Sequence, residues 1–174
     1  MGVALVVGSA RGVWEDLRAA STLLAGRPVT LAVNAMVAFL PWIIDHAVSH
    51  HGRALAHLVG YRRLVVSLAP AAREAPIVTH STYATAGIDR VWPEFKAGDS
   101  SLLAARVALA LGCPRVILAG VPLDGSGRFH DDPSQPPFDY AGLYRPVWEA
   151  ARAELVGRVV SMSGFTRELL GAPA

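Results

Sequence analysis

The sequence predicts an α/β three-layer sandwich, in which helices cover both faces of a mostly parallel sheet. Two observations support this class. Short runs rich in valine, isoleucine and leucine alternate with longer helical stretches along the chain. These apolar runs are continuous rather than alternating with polar residues, which is typical of parallel strands buried on both faces. The length of 174 residues fits one domain over residues 1–174.

The first half of the chain contains five predicted strands. They are residues 3–7, 29–33, 45–49, 64–68 and 77–79. Gly8 ends the first strand, and Pro28 and Asn34 bound the second. Helices are predicted at residues 13–25 and 53–60, whereas residues 81–98 have an irregular pattern.

The second half contains the clearest unit, a helix at residues 100–111 followed by a strand at 116–119. Asp99 or Ser100 is well placed to cap this helix, and Gly112 suits the position after its end. Residues 123–137 are rich in glycine, proline and aspartate and predict a long loop, of the kind that is often functional. A helix at 140–156, a strand at 158–161 and a helix at 165–170 complete the chain.

Composition excludes several classes of function. The chain is 52% hydrophobic and 17% charged, and its net charge of +2 is too small for a nucleic-acid-binding surface. One cysteine excludes an intramolecular disulfide. No run approaches the roughly 20 apolar residues of a membrane span, so we expect a cytoplasmic protein without a signal peptide. The apolar segment 36–44, which includes Phe39 and Trp42, is predicted to form a homo-oligomer interface.

A ligand site is predicted at the carboxyl ends of the strands, near the point where strand order reverses. The candidate residues are those that directly follow the strands. They are Gly8, Ser9, Arg11, Gly12, Asn34, the pair His50 and His51, the pair His80 and Ser81, and residues 120–124 starting with Gly120. The helix that begins near Ser100 would point its amino end at the same edge, where its N–H groups favour an anion such as phosphate.

The first of these loops is similar to a phosphate-binding turn, because Gly8 and Gly12 bracket Arg11. It matches neither the G-x-G-x-x-G dinucleotide fingerprint nor the P-loop ending Gly-Lys-Ser/Thr. Two interpretations stay open for the glycines, turn geometry alone or close approach to a phosphate. Arg11 is likewise either an anion-binding group or an ordinary surface arginine.

Six histidines raise the question of a metal site. His46 and His50 have helical i, i+4 spacing but lack a His-Glu-x-x-His pattern. We expect His50 and His51 to line a polar cleft. The group His130, Asp131 and Asp132 is the alternative, because its carboxylates could hold Mg²⁺ together with a nucleotide. No protein metal site and no other cofactor is predicted.

His130 is the candidate general base. Its ordinary pKa lies near working pH, and its loop follows the most clearly predicted strand, so the loop can close over a ligand. The alternative is an exposed loop histidine with no role. No serine occurs in a Gly-x-Ser-x-Gly context, so no Ser-His-Asp triad is expected.

Three segments together resemble a known superfamily. They are residues 4–12 (ALVVGSARG), residues 31–34 (LAVN) and residues 100–120 (SSLLAARVALALGCPRVILAG). This combination resembles the Rossmann-like core that bacterial sialyltransferases share with the motility-accessory-factor proteins, a group that includes archaeal 6-hydroxymethylpterin diphosphokinase. The resemblance spans about residues 3–124, and the third segment is the most specific.

The resemblance implies a Rossmann-like fold and a nucleotide or nucleotide-sugar as partner. It implies that Gly8, Ser9 and Asn34 contact the nucleotide, and that Asp99, Ser100 and Ser101 lie near its phosphate or sugar. It also implies that His130 lies in the loop from which the sialyltransferases supply their base. Three departures stand against it. Arg11 and Gly12 replace a proline and a serine of the family loop, Ser101 replaces a glycine, and Asp124 lies two residues beyond the family carboxylate.

Three functional hypotheses follow. The first is a glycosyltransferase-like enzyme that uses a nucleotide or nucleotide-sugar donor. Its leaving phosphate would be stabilised by the helix N-terminus and the loop from Gly8 to Gly12, while His130 deprotonates an acceptor hydroxyl. The second is a diphosphokinase-like enzyme, which would need a divalent cation near Asp124, Asp131 or Asp132. The third is a nucleotide-binding or oligomeric module without catalysis.

Overall fold

A parallel sheet of seven strands forms the centre of the protein, in a computed structural model that describes residues 2–174. The strands are β1 (Ala4–Val7), β2 (Val29–Val33), β3 (His46–Val48), β4 (Val78–Ser81), β5 (Arg90–Val91), β6 (Val116–Ala119) and β7 (Val159–Ser161). Their order across the sheet is β5-β4-β3-β2-β1-β6-β7, and every neighbouring pair is parallel. The strand order therefore reverses at β1, between β2 and β6.

Helices cover both faces of the sheet, as the sequence predicts. They are α1 (Val13–Leu23), α2 (Met36–Phe39), α3 (Gly52–Leu64), α4 (Pro70–Glu74), α5 (Ser100–Ala110), α6 (Tyr140–Leu155) and α7 (Gly164–Leu170). A short 3-10 helix occupies Pro93–Phe95. The α/β three-layer sandwich with a parallel sheet is confirmed.

Strand β1 shows why the sheet needs both layers. Its alternate residues Ala4 and Val6 join a core with α5 and α6, whereas Leu5 and Val7 join a second core with α1 and α2. All four side chains are buried. Burying a valine or leucine side chain contributes about 1.5–3 kcal/mol, so a strand with four buried residues is stable only between two helical layers.

The strand predicted at residues 64–68 is wrong. Helix α3 continues through Gly60 to Leu64, and a turn follows it. The apolar run here is not continuously buried, because Leu64 is 74% exposed and Val66 is 87% exposed, whereas Leu68 is buried. Helix α3 is held at this end by Arg62, which is fully buried.

The apolar segment 36–44 is largely internal. Met36, Val37, Leu40 and Ile44 are buried in the core between α1, α2 and the sheet. Phe39 and Trp42 remain partly exposed. The homo-oligomer interface predicted for this segment therefore depends on two side chains. Within residues 2–174, no helix has both the length and the apolar character needed to cross a membrane.

Candidate functional site

A cavity of about 480 Å³ opens at the carboxyl edge of the sheet, where the strand order reverses. This is the position at which open α/β sheets bind ligands. Its walls come from the loops that follow β1, β2, β3 and β6, from the start of α5 and from the start of α6. Of the residues predicted for a ligand site, those that line it are Ser9, Asn34, His50, His51, Asp99, Ser100, Ser101, residues 120–124 and His130.

The loops after β1 and β6 are packed against each other too closely for side chains. A Cβ atom on Gly8 would lie 2.4 Å from the Gly120 carbonyl oxygen, and one on Gly120 would lie 2.6 Å from the Gly8 oxygen. Gly120 also has a φ of +67°, which favours glycine. These two glycines are therefore required by the contact between the loops. Gly12 has open space around it.

Three amides of the β1–α1 loop donate to backbone carbonyls. Gly8 N–H bonds to Ala119, Ala10 N–H to Gly120 and Arg11 N–H to Gly127, at 2.8, 3.2 and 3.0 Å. The loop thus has fewer N–H groups facing a ligand than its sequence suggests. The Arg11 side chain is exposed, and neither Arg11 nor Gly12 lines the cavity.

Asp16 joins three distant parts of the chain beneath this contact. One oxygen of its carboxylate accepts hydrogen bonds from Gly120 N at 2.8 Å and from Ser163 Oγ at 2.7 Å. Asp16 belongs to α1, and Ser163 directly precedes α7. Through Asp16, Gly120 in the cavity wall is therefore linked to segments near both ends of the chain.

Asp99 caps the amino end of α5 from within the protein. Its Oδ1 accepts from Leu102 N at 2.8 Å and from the indole N–H of the buried Trp148 at 3.2 Å. Burial raises the pKa of Asp99, and these hydrogen bonds oppose the rise. The Asp99 side chain thus already accepts from one of the N–H groups at the amino end of α5. Whether Asp99 and Ser101 lie near a ligand phosphate or sugar stays a prediction.

Polar side chains after β2 and β3 form a connected row. Ser49 Oγ donates to Asn34 Oδ1 at 2.6 Å and accepts from His51 N at 2.9 Å. Asn34 has a φ of 50°, a left-handed conformation that asparagine tolerates better than most residues. The next amide, His50 N, donates to Ser100 Oγ at 3.1 Å. This side of the cavity therefore presents neutral groups held in fixed positions.

His50 belongs to this neutral side. Its Nδ1 lies 3.0 Å from Thr82 Oγ1, and its Nε2 is buried without a hydrogen-bond partner of normal geometry among the described residues. Burial lowers the pKa of His50, and the backbone of Asp99 acts in the opposite direction. The imidazole is thus neutral near pH 7. The expectation that His50 and His51 line a polar cleft agrees with their place in the cavity wall.

The loop between β6 and α6 contributes Arg128 and His130. Phe129 N donates to the Ser9 carbonyl, and Ala10 and Arg128 form an antiparallel bridge, so this loop is attached to the β1–α1 loop. His130 is an exposed residue at the cavity margin, and its ring stacks on Phe39 with ring centroids 6.1 Å apart. Burial and the nearby Arg128 lower the pKa of His130, which leaves the imidazole neutral and able to accept a proton near pH 7.

Arg128, Tyr140 and Tyr144 are cavity residues that sequence reasoning missed. The Arg128 guanidinium lies 4.4 Å from the centre of the Tyr140 ring, and the rings of Tyr140 and Tyr144 are stacked at 6.4 Å. These residues lie in or just after the loop predicted at 123–137. The sequence feature that could have indicated them is an arginine in the loop followed by two tyrosines at helical spacing. That signal is weak without the fold.

The carboxylates considered for Mg²⁺ are engaged locally. Asp131 accepts from Arg128 N at 2.7 Å, Asp124 from Ser126 N and Asp132 from Ser134. Across residues 2–174, no three histidine, cysteine, aspartate or glutamate side chains converge as a metal-binding group. The involvement of Mg²⁺ with a nucleotide stays a prediction.

His46 and His80 form a separate pair outside the cavity wall. The Trp92 indole donates to His80 Nδ1 at 3.0 Å, and His80 Nε2 lies 3.0 Å from His46 Nδ1. Because an indole N–H can only donate, His80 carries its proton on Nε2. His80 is fully buried, and burial together with His46 lowers its pKa to about 4. The pair is a structural hydrogen-bond chain.

The strand order, the two helical layers and the cavity at the reversal point define a Rossmann-like α/β protein. No protein-family model and no curated protein sequence matches the chain. Among solved structures, it is similar in fold to the MAf glycosyltransferase from Magnetospirillum magneticum AMB-1, with a TM-score of 0.59 and 15% sequence identity. The match covers 98% of this chain and 32% of that one, so the chain spans about a third of the length of the glycosyltransferase.

Proposed function

We propose that this protein binds a nucleotide or nucleotide-sugar in the cavity and transfers a glycosyl group from it to an acceptor hydroxyl. One observation carries the proposal. The cavity at the reversal of strand order combines a row of fixed neutral hydrogen-bonding groups with a cation, Arg128, and a neutral histidine, His130. The fold similarity to a glycosyltransferase supports the same class of reaction.

The cavity suits the two halves of such a donor. Ser49, Asn34 and the Ser100 hydroxyl offer neutral hydrogen-bonding groups, which match the hydroxyl and carbonyl oxygens of a sugar or a base. Phe138, Tyr140 and Tyr144 line the wall with rings on which an apolar face can pack. A volume of about 480 Å³ lies within the range of small-molecule sites.

His130 would act as the general base. As the acceptor oxygen forms its bond to the anomeric carbon, the bond from that carbon to the phosphate oxygen breaks. The hydroxyl proton passes to the imidazole, and the leaving phosphate takes the electron pair. The lowered pKa of His130 keeps the ring unprotonated at neutral pH, and the ring stacks on Phe39.

A binding module without catalysis is the second candidate. Three amides of the β1–α1 loop already donate to the protein, so this loop binds a phosphate less readily than a free glycine-rich loop.

The diphosphokinase-like alternative would need a divalent cation. Asp124, Asp131 and Asp132 each accept hydrogen bonds from their own loop, which does not favour it.

The experiment combines binding with turnover. Thermal shift and titration calorimetry would be run with CMP, CDP, ATP and GTP, with and without Mg²⁺. Release of the nucleotide from the matching sugar donor would then be measured for the wild type, for His130→Ala and for the exposed control His57→Ala. We expect one nucleotide to stabilise the protein, and His130→Ala to bind it while turnover falls about 100-fold or more.

Two results would overturn the proposal. If none of the four nucleotides stabilises the wild type, the transferase fails at its first step. If a nucleotide binds but the wild type and His130→Ala show the same negligible turnover, the protein is a binding module. A loss in His57→Ala equal to that in His130→Ala would remove His130 from the mechanism.

A further inference from the structure

We infer that Arg128, held on the ring of Tyr140, is the phosphate-binding group of the cavity, and that the β1–α1 loop and the amino end of α5 do not bind the phosphate. The inference rests on the proposed nucleotide site and assigns its orientation. The phosphate lies at the Arg128 side, and the neutral part of the ligand lies at the side of Asn34 and Ser49.

The protein itself uses part of each of the two anion sites that the fold usually offers. In the β1–α1 loop, the amides of Gly8, Ala10 and Arg11 donate to carbonyls within 3.2 Å. At the amino end of α5, the Asp99 carboxylate accepts from Leu102 N. A phosphate placed at either site would compete with these protein acceptors for the N–H groups, so fewer donors are left for it.

Arg128 is available for an anion. It lines the cavity and is half-buried, and among residues 2–174 no carboxylate oxygen lies within 4.0 Å of its guanidinium nitrogens. Asp131 lies in the same loop, but its hydrogen bond with Arg128 is to the Arg128 backbone N–H. A planar guanidinium that has no acidic partner matches the oxygens of a phosphate in a bidentate way.

The position of Arg128 is set before any ligand binds. Its backbone is fixed by the bridge to Ala10 and by the Asp131 carboxylate, and its guanidinium lies over the Tyr140 ring at 4.4 Å. A ring face attracts the cation without using its N–H donors, so those donors stay free for a ligand. Preorganisation of this kind reduces the ordering cost of binding.

The opposite wall favours a neutral group. His50 is uncharged there because burial lowers its pKa, and Asn34, Ser49 and Ser100 carry no charge. His130 lies on the cationic side, where the charge of Arg128 already acts on it. The arrangement therefore brings the phosphate next to the proposed base.

The test compares charged and uncharged probes on matched variants. Inorganic pyrophosphate, and CMP, CDP, ATP and GTP each against its own nucleoside, would be titrated into the wild type, Arg128→Gln and Arg11→Gln. We expect Arg128→Gln to lower the affinity for the nucleotide and for pyrophosphate about tenfold or more, and to leave the affinity for the nucleoside unchanged. Arg11→Gln, on the exposed loop, should stay within about twofold.

Variants at Tyr140 examine the support of Arg128. Tyr140→Phe keeps a ring under the guanidinium and should bind the nucleotide within about twofold of the wild type, whereas Tyr140→Leu should weaken it severalfold. Circular dichroism and urea unfolding would establish that each variant is folded. If Arg128→Gln does not fold, Arg128→Lys replaces it, with an intermediate loss expected because the lysine ammonium lacks the planar fork.

The outcomes separate this inference from the proposed function. If neither the nucleotides nor pyrophosphate bind the wild type, both fall. If the wild type binds a nucleotide and Arg128→Gln binds it equally well, only the role of Arg128 is overturned. If Arg128→Gln lost equal affinity for the nucleotide and the nucleoside, Arg128 would act through the shape of the cavity rather than through its charge, and its assignment to the phosphate would be overturned. Pyrophosphate binding that is lost in Arg11→Gln would return the phosphate to the β1–α1 loop.

Discussion

Arg62 and Arg128 show two opposite uses of the same side chain. Arg62 is fully buried between α2, α3 and α4, and no carboxylate within residues 2–174 forms an ion pair with it. Its guanidinium instead donates to four backbone carbonyls, those of Val37, Leu40, Trp42 and Ala72. Arg128 is half-buried in the cavity wall and lies on a tyrosine ring.

The difference concerns where the donors of each guanidinium point. The N–H groups of Arg62 are satisfied by the protein, so this residue contributes to the free energy of unfolding. No acidic group in the described part of the chain pairs with the donors of Arg128, so we expect this residue to contribute to ligand binding. The same distinction applies to histidines, since His80 has protein partners on both ring nitrogens whereas His130 faces the cavity.

The largest effect is expected from Arg62→Met. Removing the guanidinium leaves four carbonyls without this partner in the interior, and each unsatisfied group costs about 1–3 kcal/mol. We expect the free energy of unfolding to fall by about 4 kcal/mol in urea titrations. Arg128→Met is the matched control and should lower it by about 1 kcal/mol or less. Similar losses in the two variants would erase the contrast between the two arginines.

The next largest effect is expected on lowering the pH, because protonation of His80 reduces the free energy of unfolding. The folded-state pKa of about 4 lies below the ordinary value of 6.5, so the folded state binds fewer protons than the unfolded state between these values. Stability from His80 is therefore complete above pH 6.5 and is lost as pH falls toward 4. The loss is roughly 3 kcal/mol at 1.36 kcal/mol per pKa unit.

Unfolding free energies at pH 7 and pH 4.5 would measure the effect. His46, His50 and His130 also have lowered pKa values, so the diagnostic quantity is the difference between the wild type and His80→Gln. We expect the variant to have a smaller pH dependence, and exposed His57→Gln to keep that of the wild type. An unchanged slope in His80→Gln would show that His80 is not the buried neutral group described above.

A smaller effect is expected from one methyl group at the loop contact. Gly8→Ala places a Cβ atom against the Gly120 carbonyl, and overpacking of this kind costs about 1–3 kcal/mol. Gly12→Ala adds the same atom in open space at a φ of −83°, so its effect should be within about 0.5 kcal/mol. Thermal unfolding of the two variants would compare them. Equal melting temperatures would mean that the two loops are not in close contact.

The last comparison concerns association through Trp42, which is 37% exposed. If segment 36–44 forms the predicted homo-oligomer interface, Trp42→Ser should reduce the mass measured by sedimentation velocity. Val66→Ser, at a more exposed apolar position, is the control and should leave the mass unchanged. A monomeric wild type would refute the interface.

The fold was predictable where burial is continuous. β1, β2, β6 and α5 lie where the sequence predicts them, because their apolar runs pack on both sides or end at clear caps. The predicted strand at 64–68 failed because an apolar run does not reveal whether it is buried. The pair Arg62 and Arg63 was the contrary signal, since basic residues favour the last turn of a helix.

The candidate site was predictable in outline. Asn34 and Gly120 follow strands, and the rule for parallel sheets brings them to one edge. The contacts that each polar side chain of the site makes were not predictable. That the Asp99 carboxylate turns to Trp148, and that Arg128 lies on Tyr140, depend on contacts between residues 49 and 12 positions apart. Only the packed chain decides which donors are free.

The contacts of Asp16 also have a consequence for how the chain folds and opens. One carboxylate oxygen holds an amide 104 residues away and a hydroxyl 147 residues away. Such bonds form only after the two ends of the chain have come together, which slows folding relative to local contacts. The Gly120 amide should accordingly exchange its hydrogen with solvent as slowly as the most protected core amides. The hydrogen bond between Gly120 and Asp16 should break only when the whole sheet unfolds.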